Sequence, residues 1–130
     1  MGKPKVAALL LCDSVASDPS GKITLYGIFD TIYSNKFPAV HGQVSVYFKC
    51  SVSEPGELTL VIEGADGTSV FKSQPAKIER TELARNAQGV YSLIGLTFPH
   101  PGTYTVKLLY GSSEEIARTD FTVEPQGAIH

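Results

Sequence analysis

The sequence predicts an all-β fold, an antiparallel immunoglobulin-like β-sandwich of about seven to nine strands. Short stretches alternate apolar and polar residues, turn residues recur about every ten positions, and helical periodicity is nearly absent. The chain has 130 residues and 42% hydrophobic content, which suffices for one core and is too small for two ordinary domains. We expect residues 1–124 to form a single domain and residues 125–130 to form a loose tail.

The first strand is predicted over residues 5–16 and the second over residues 22–34. The residue types of Asp18-Pro-Ser-Gly21 suit the four positions of a type I turn between them. A hairpin that places Ser17 opposite Lys22 puts four large side chains on the outer face, and a one-residue slip would exchange the faces. These four residues are Leu9, Leu11, Tyr26 and Ile28.

The third strand has the clearest alternation in the chain. Even-numbered positions from 44 to 52 are apolar and odd-numbered positions are mostly polar, which predicts one buried face. Strands are also expected near residues 58–62 and 68–72, joined at Asp66-Gly67. Residues 75–89 fit either a short helix capped by Thr81 or a further strand with a turn over residues 86–89. The strand is favoured because its neighbours are strands.

Three strands are predicted in the last third of the chain, over residues 90–98, 104–110 and 115–123. In the first of them Val90, Ile94, Leu96 and Phe98 are expected on one side, with Tyr91 and Leu93 on the other. In the last strand Ile116 is out of phase with its apolar neighbours, which indicates a β-bulge.

A corner is predicted where Pro101 and Gly102 separate two of these strands. Proline cannot donate to a ladder, and glycine tolerates the positive φ that a corner often needs. We therefore expect Tyr104 to enter the next strand facing the core, with its hydroxyl bonded to backbone near the bend.

Five segments spread over most of the chain are distinctive. They are Leu10-Leu-Cys-Asp13, Asp18-Pro-Ser-Gly-Lys22, Gly27-Ile-Phe-Asp30, Phe37-Pro38 and Phe98-Pro-His-Pro-Gly-Thr-Tyr104. Together they resemble an uncharacterised family of short bacterial proteins with a β-sandwich fold. The resemblance supports the fold and implies no activity and no functional residues.

Charge and composition argue against several classes of function. A net charge of −2, from 11 basic and 13 acidic residues, offers no electrostatic footprint for nucleic acid or an anionic membrane. A P-loop is not formed at Ser20-Gly21-Lys22, because Ala16 and Ile23 replace the required glycine and hydroxyl residue. Apolar residues after the first lysines fit either a short signal peptide or a buried first strand, and we expect the strand in a cytoplasmic protein.

No arrangement of side chains predicts a catalytic centre, a metal site or a cofactor. The acidic and histidine residues available for metal binding lack ligand spacing; they are Asp13, Asp18, Asp30, His41 and His100. Cys12 and Cys50 are expected to face inward as inert thiols, although the sequence does not decide whether they are bridged. A dyad of His41 or His100 with an aspartate stays open, and we expect no enzyme.

The sequence therefore favours a non-enzymatic interaction module that forms a homo-oligomer or binds another protein. Large outward side chains are expected in two patches. The first patch contains Tyr47, Tyr91, Leu93 and Leu109, and the second contains Leu9, Leu11, Tyr26 and Ile28. The alternative is a module that binds a small ligand or carbohydrate on Tyr26, Tyr47 and Tyr91, which is less favoured because the chain has no tryptophan.

Overall fold

The computed structural model describes residues 3–79, 86–111 and 113–126. Over these ranges the chain forms ten strands and no α-helix, which confirms the predicted all-β class. The strands are β1 (Val6–Ser17), β2 (Ile23–Ile28), β3 (Thr31–Ser34), β4 (Ala39–Ser51), β5 (Gly56–Gly64), β6 (Ser69–Lys72), β7 (Ala76–Ile78), β8 (Asn86–Phe98), β9 (Gly102–Tyr110) and β10 (Glu114–Pro125).

Two sheets pack face to face. The first sheet has the order β2-β1-β4-β8, and the second has the order β3-β10-β9-β5-β6 with β7 also paired to β5. The predicted second strand is divided between them, because β2 pairs with β1 whereas β3 pairs with β10 in parallel. All other pairings among the described strands are antiparallel. This division and the short β7 explain why the strands outnumber those predicted.

The core lies between the sheets. The alternation of β4 is confirmed, since its even-numbered apolar side chains from Val44 to Cys50 are buried. Opposite them, the second sheet contributes a matching set of buried side chains; they are Leu58, Leu60, Ile62, Tyr104, Val106, Leu108, Phe121 and Val123. Burying each large apolar side chain contributes about 1.5–3 kcal/mol, so this central layer dominates the stability.

The first hairpin is paired one residue away from the predicted register. Ser17 lies opposite Ile23 and Cys12 lies opposite Ile28. The cause is in the loop, where Gly21 adopts a φ of 88° and its N–H donates to the Asp18 carbonyl at 3.0 Å. A type I turn followed by a left-handed glycine makes a three-residue loop, and the extra residue shifts the register by one.

Strand β8 changes phase at Gly95. Leu93 and Leu96 are both buried, although an ideal strand would place them on opposite faces. Gly95 has a φ of 70°, which rotates the chain locally while the pairing with β4 continues without a shift. Ile94 is therefore 81% exposed, and the prediction that it faces inward is wrong. The predicted outward positions of Leu93 and Tyr91 are wrong for the same reason.

The corner between β8 and β9 is confirmed in detail. Gly102 has a φ of 140°, and Pro101 lies exposed in the bend before it. Tyr104 is buried, and its hydroxyl donates to the His100 carbonyl at 2.6 Å. The neighbouring prediction of a bulge at Ile116 is also confirmed, because the β9–β10 register shifts between Glu115 and Ala117.

The segment that the sequence left ambiguous is only partly described. Residues 76–78 form β7, and β8 begins at Asn86. The predicted turn over residues 86–89 is wrong, because these residues pair with the end of β4. The proposed helix start at Thr81 lies outside the described residues.

Candidate interaction surface

The outward side of the first sheet carries seven large apolar side chains, which we call the apolar face. Its members are Leu10, Tyr26, Ile28, Val40, Tyr47, Val90 and Ile94. Ile28 is 59% exposed and Tyr26 is 53% exposed, so these side chains project well beyond the backbone. Single exposed apolar residues are ordinary, but a group on one sheet face is typical of a contact surface.

Strand register explains why these side chains are neighbours. Leu10 lies opposite Tyr47, which in turn lies opposite Val90, so one row crosses three strands. The adjacent row has small side chains in its centre, because Ile28 is followed across the sheet by Cys12, Ser45 and Ser92. Directly opposite residues share a face in a pleated sheet. The apolar face therefore spans all four strands.

Cys12 and Ser45 form the floor of this surface. Both side chains are buried, yet Cys12 does not belong to the core cluster between the sheets. Burial, together with the charge of the adjacent Asp13, raises the pKa of the Cys12 thiol. Cys12 and Ser45 therefore lie beneath the surface, whereas Gln43 and Ser92 on the same face are exposed between the large side chains.

The outward side of the second sheet has the opposite character. Lys107 Nζ lies 2.6 Å from Glu63 Oε1 and 3.9 Å from Glu115 Oε1. Arg118 Nε donates to the Glu115 carboxylate at 2.6 Å, and this bond holds the pKa of Glu115 below its ordinary value. Ion pairs at the surface are well solvated. The two outward faces of the sandwich thus differ sharply in polarity.

The predicted patches are only partly assembled by the fold. Tyr26, Ile28 and Tyr47 lie on the apolar face as expected. Leu11 is 4% exposed in the core, and Leu9 packs against the core, because the hairpin is shifted by one residue. The predicted outward placement of these two leucines is wrong.

The other patch contains three misplaced residues. Leu93 is buried and Tyr91 packs against the core, where its ring lies 6.0 Å from Phe48. Leu109 belongs to β9 in the second sheet, so it cannot adjoin Tyr47. In place of these residues the apolar face contains Leu10, Val40, Val90 and Ile94. The glycines Gly21 and Gly95 were the sequence signal for this exchange, since each shifts the phase of a strand.

The described side chains do not assemble a recognisable catalytic centre. Burial raises the pKa of the Cys50 thiol as it does that of Cys12, which disfavours a reactive thiolate. Both cysteines are free. His100 Nε2 lies 3.9 Å from Asp66 Oδ2 at the surface, too far for a hydrogen bond. Within residues 3–79, 86–111 and 113–126, no three His, Cys, Asp or Glu side chains converge as metal ligands.

Two further surface features lie close to these groups. A cleft of about 150 Å³ adjoins the corner, between Asp66 and His100. A second cleft of about 290 Å³ lies beside Leu10 and Ile28, with Asp120 at its rim.

No helix in the described part of the chain is long and apolar enough to cross a membrane.

Three solved structures are similar to this chain, and two of them, with TM-scores above 0.5, support the fold. An alkylpurine DNA glycosylase, AlkC of Pseudomonas fluorescens bound to DNA, is 13% identical with a TM-score of 0.56, and the match covers 93% of this chain but 30% of the glycosylase. The C-terminal domain of wzt is 10% identical with a TM-score of 0.51, covering 97% of this chain and 75% of that domain. An immunoglobulin-like protein from Pseudomonas aeruginosa is 12% identical with a TM-score of 0.43, covering 93% and 96%.

These likenesses concern architecture alone, because all three sequences are less than about 25% identical to this chain. No curated protein matches the sequence. A family match extends over residues 7–124, from the first strand to the last. The chain belongs to DUF6941, a family of unknown function.

Proposed function

We propose that this protein is a non-enzymatic β-sandwich interaction module that associates with its own copy through the apolar face, in the cytoplasm. The observation that carries the proposal is the contrast between the two outward faces. Paired charges lie on the outward side of the second sheet, whereas bulky apolar side chains project from the first. Water solvates the first kind of surface well and the second poorly, so burial of the apolar face against another protein is favourable.

The outward side of the first sheet is large enough to contribute most of one interface. Each strand residue covers about 16 Å², since strands lie about 4.8 Å apart and rise about 3.3 Å per residue. The four strands contain between 6 and 13 residues each. The whole outward side of the first sheet therefore has a projected area of about 700 Å², of which the apolar face is one part, and a standard interface buries about 800 Å² per partner. A second copy is the simplest occupant, because a two-fold axis buries the same surface on both molecules.

The test is the oligomeric state of two matched variants. Ile28→Glu places a charge on the apolar face, and Tyr33→Glu places one at a similarly exposed position of the second sheet. Light scattering after size exclusion, over about a hundredfold dilution, measures the mass of each. We expect Ile28→Glu to lower the mass of the assembly by removing the contact through the apolar face, and Tyr33→Glu to leave the mass unchanged. A monomer at every concentration of the unmodified protein would contradict self-association.

The alternative ligand-binding function is less well supported. It required three tyrosines on a shared surface, and Tyr91 is turned towards the core. Tyr26 and Tyr47 share the apolar face, but the Tyr47 hydroxyl is already engaged with the Gln88 side chain at 2.6 Å. Sugar recognition usually needs aromatic platforms flanked by available polar groups. Self-association therefore has the stronger basis in this surface.

A further inference from the structure

Strand β8 forms an unusually long free edge of the first sheet. It contains 13 residues and pairs within the described chain only with β4. The other edge strand of this sheet, β2, has 6 residues. In the second sheet β3 and β6 have 4 residues each and β7 has 3. Since every second N–H and C=O of an edge strand points away from its neighbour, β8 offers a long row of unused backbone groups.

The side chains of β8 do not protect this edge. Native proteins shield edge strands with lysine, proline or inward-pointing charges, or by keeping them short. Asn86–Phe98 contains no charged residue and no proline. Gly95 is left-handed and has no partner in the register, but the register with β4 is the same on both sides of it, so it does not end the ladder. Apart from the local irregularity at Gly95, the strand lacks the charges, the proline and the short length that prevent pairing with another chain.

We infer that β8 pairs antiparallel with β8 of a second copy across a two-fold axis, which joins the two first sheets into one continuous eight-stranded sheet. A second copy suits this edge because a strand without charge meets no repulsion from itself. Antiparallel pairing of like strands about a two-fold axis also satisfies the same backbone groups on both molecules.

This pairing also enlarges the surface used in the proposed function, on which this part of the inference rests. The end of the first sheet near Lys49 is charged and exposed, so the apolar part of the face is smaller than the whole. The area of this apolar part alone is smaller than the about 800 Å² that each partner buries in a standard interface. Edge pairing places two apolar faces side by side and doubles the area. Face-to-face packing of two such dimers gives a closed tetramer with two distinct interfaces.

Hydrogen exchange measured by NMR separates the edge contact from the face contact. In an isolated molecule every second amide of β8 faces solvent and exchanges fast, whereas edge pairing protects the amides of both sets. We expect consecutive amides of β8 to be slow at high protein concentration, with alternate ones becoming fast on dilution. The short edge β2 is the internal control, and its solvent-facing amides should stay fast throughout.

The Ile28→Glu variant distinguishes failure of this inference from failure of the proposed function. We expect this variant to be an edge-paired dimer whose β8 amides remain protected. If alternate β8 amides exchange fast in an unmodified protein that still dimerises, edge pairing is wrong and the apolar face alone holds the dimer. If Ile28→Glu leaves a tetramer with protected β8 amides, the edge contact stands and the apolar face is not the second interface. A monomer at all concentrations overturns both.

Discussion

Removal of the Tyr104 side chain is expected to be among the most destabilising single changes in this protein. Tyr104 is 3% exposed, and its ring lies 5.0 Å from Phe98 and 5.8 Å from Phe121. These three rings fill the end of the core beneath the corner. Truncation to alanine removes the ring and leaves a cavity among them, which costs about 3–5 kcal/mol for a buried aromatic residue.

The hydroxyl of Tyr104 contributes separately from the ring. It donates to the His100 carbonyl at 2.6 Å, four residues earlier in the chain, and so ties the new strand to the bend. Tyr104→Phe keeps the ring packing but leaves this part-buried carbonyl without its donor. The expected loss is about 1 kcal/mol, the net value of one such hydrogen bond.

Urea denaturation of the purified variants measures both effects as changes in the free energy of unfolding. Tyr33→Phe is a matched control, because Tyr33 is 50% exposed and its substitution should shift stability by less than about 0.5 kcal/mol. A Tyr104→Ala midpoint equal to that of the unmodified protein would refute the packing argument. Equal losses for Tyr104→Phe and Tyr104→Ala would refute the division between hydroxyl and ring.

Three further predictions concern the corner, the thiols and the first turn. Gly102→Ala should destabilise by about 1 kcal/mol in urea denaturation through backbone strain alone, since φ is 140° and no atom lies within 4 Å of the added Cβ. Cys12 and Cys50 should resist iodoacetamide in the native protein, and mass spectrometry should find both alkylated after denaturation without a reductant. If neither cysteine is alkylated after denaturation, the two are bridged and the prediction is wrong. Hydrogen bonds from Ser20 and the Lys22 amide lower the pKa of Asp18 in the folded state. The Asp18 carboxylate therefore stabilises the fold at pH values above its unfolded pKa, and this stabilisation is lost as the pH falls through the lowered pKa of the folded state. Asp18→Asn should therefore reduce the dependence of stability on pH in the acidic range, and an unchanged acid profile would contradict this.

The predictions from the sequence were most accurate for features that depend on the pattern of residues within one strand. The alternation of β4 and the phase break at Ile116 are local patterns, and both agree with the structure. The corner is also local, because Pro101, Gly102 and Tyr104 act within four residues of one another. Such features depend on backbone preferences that each residue carries wherever it lies.

The candidate surface was harder to predict because it depends on phase between strands. One left-handed glycine in the first loop exchanged Leu11 for Leu10, and another in β8 exchanged Leu93 for Ile94. Side chains alternate between the two faces of a strand, so a shift of one residue moves every side chain of that strand to the opposite face. The assignment of Leu109 failed for a different reason, because sequence alternation does not say which sheet a strand joins.

The parallel pairing of β3 with β10 also determines when the chain can complete its fold during synthesis on the ribosome. Thr31 and Thr122 meet in this pair although 91 residues separate them. Because β10 also carries the core residues Phe121 and Val123, a nascent chain that lacks this strand has an incomplete second sheet and an unfilled core. Contacts between distant parts of a sequence form late and slowly. We expect the growing polypeptide to remain sensitive to protease until synthesis has passed β10, and early resistance of shorter nascent chains would contradict this.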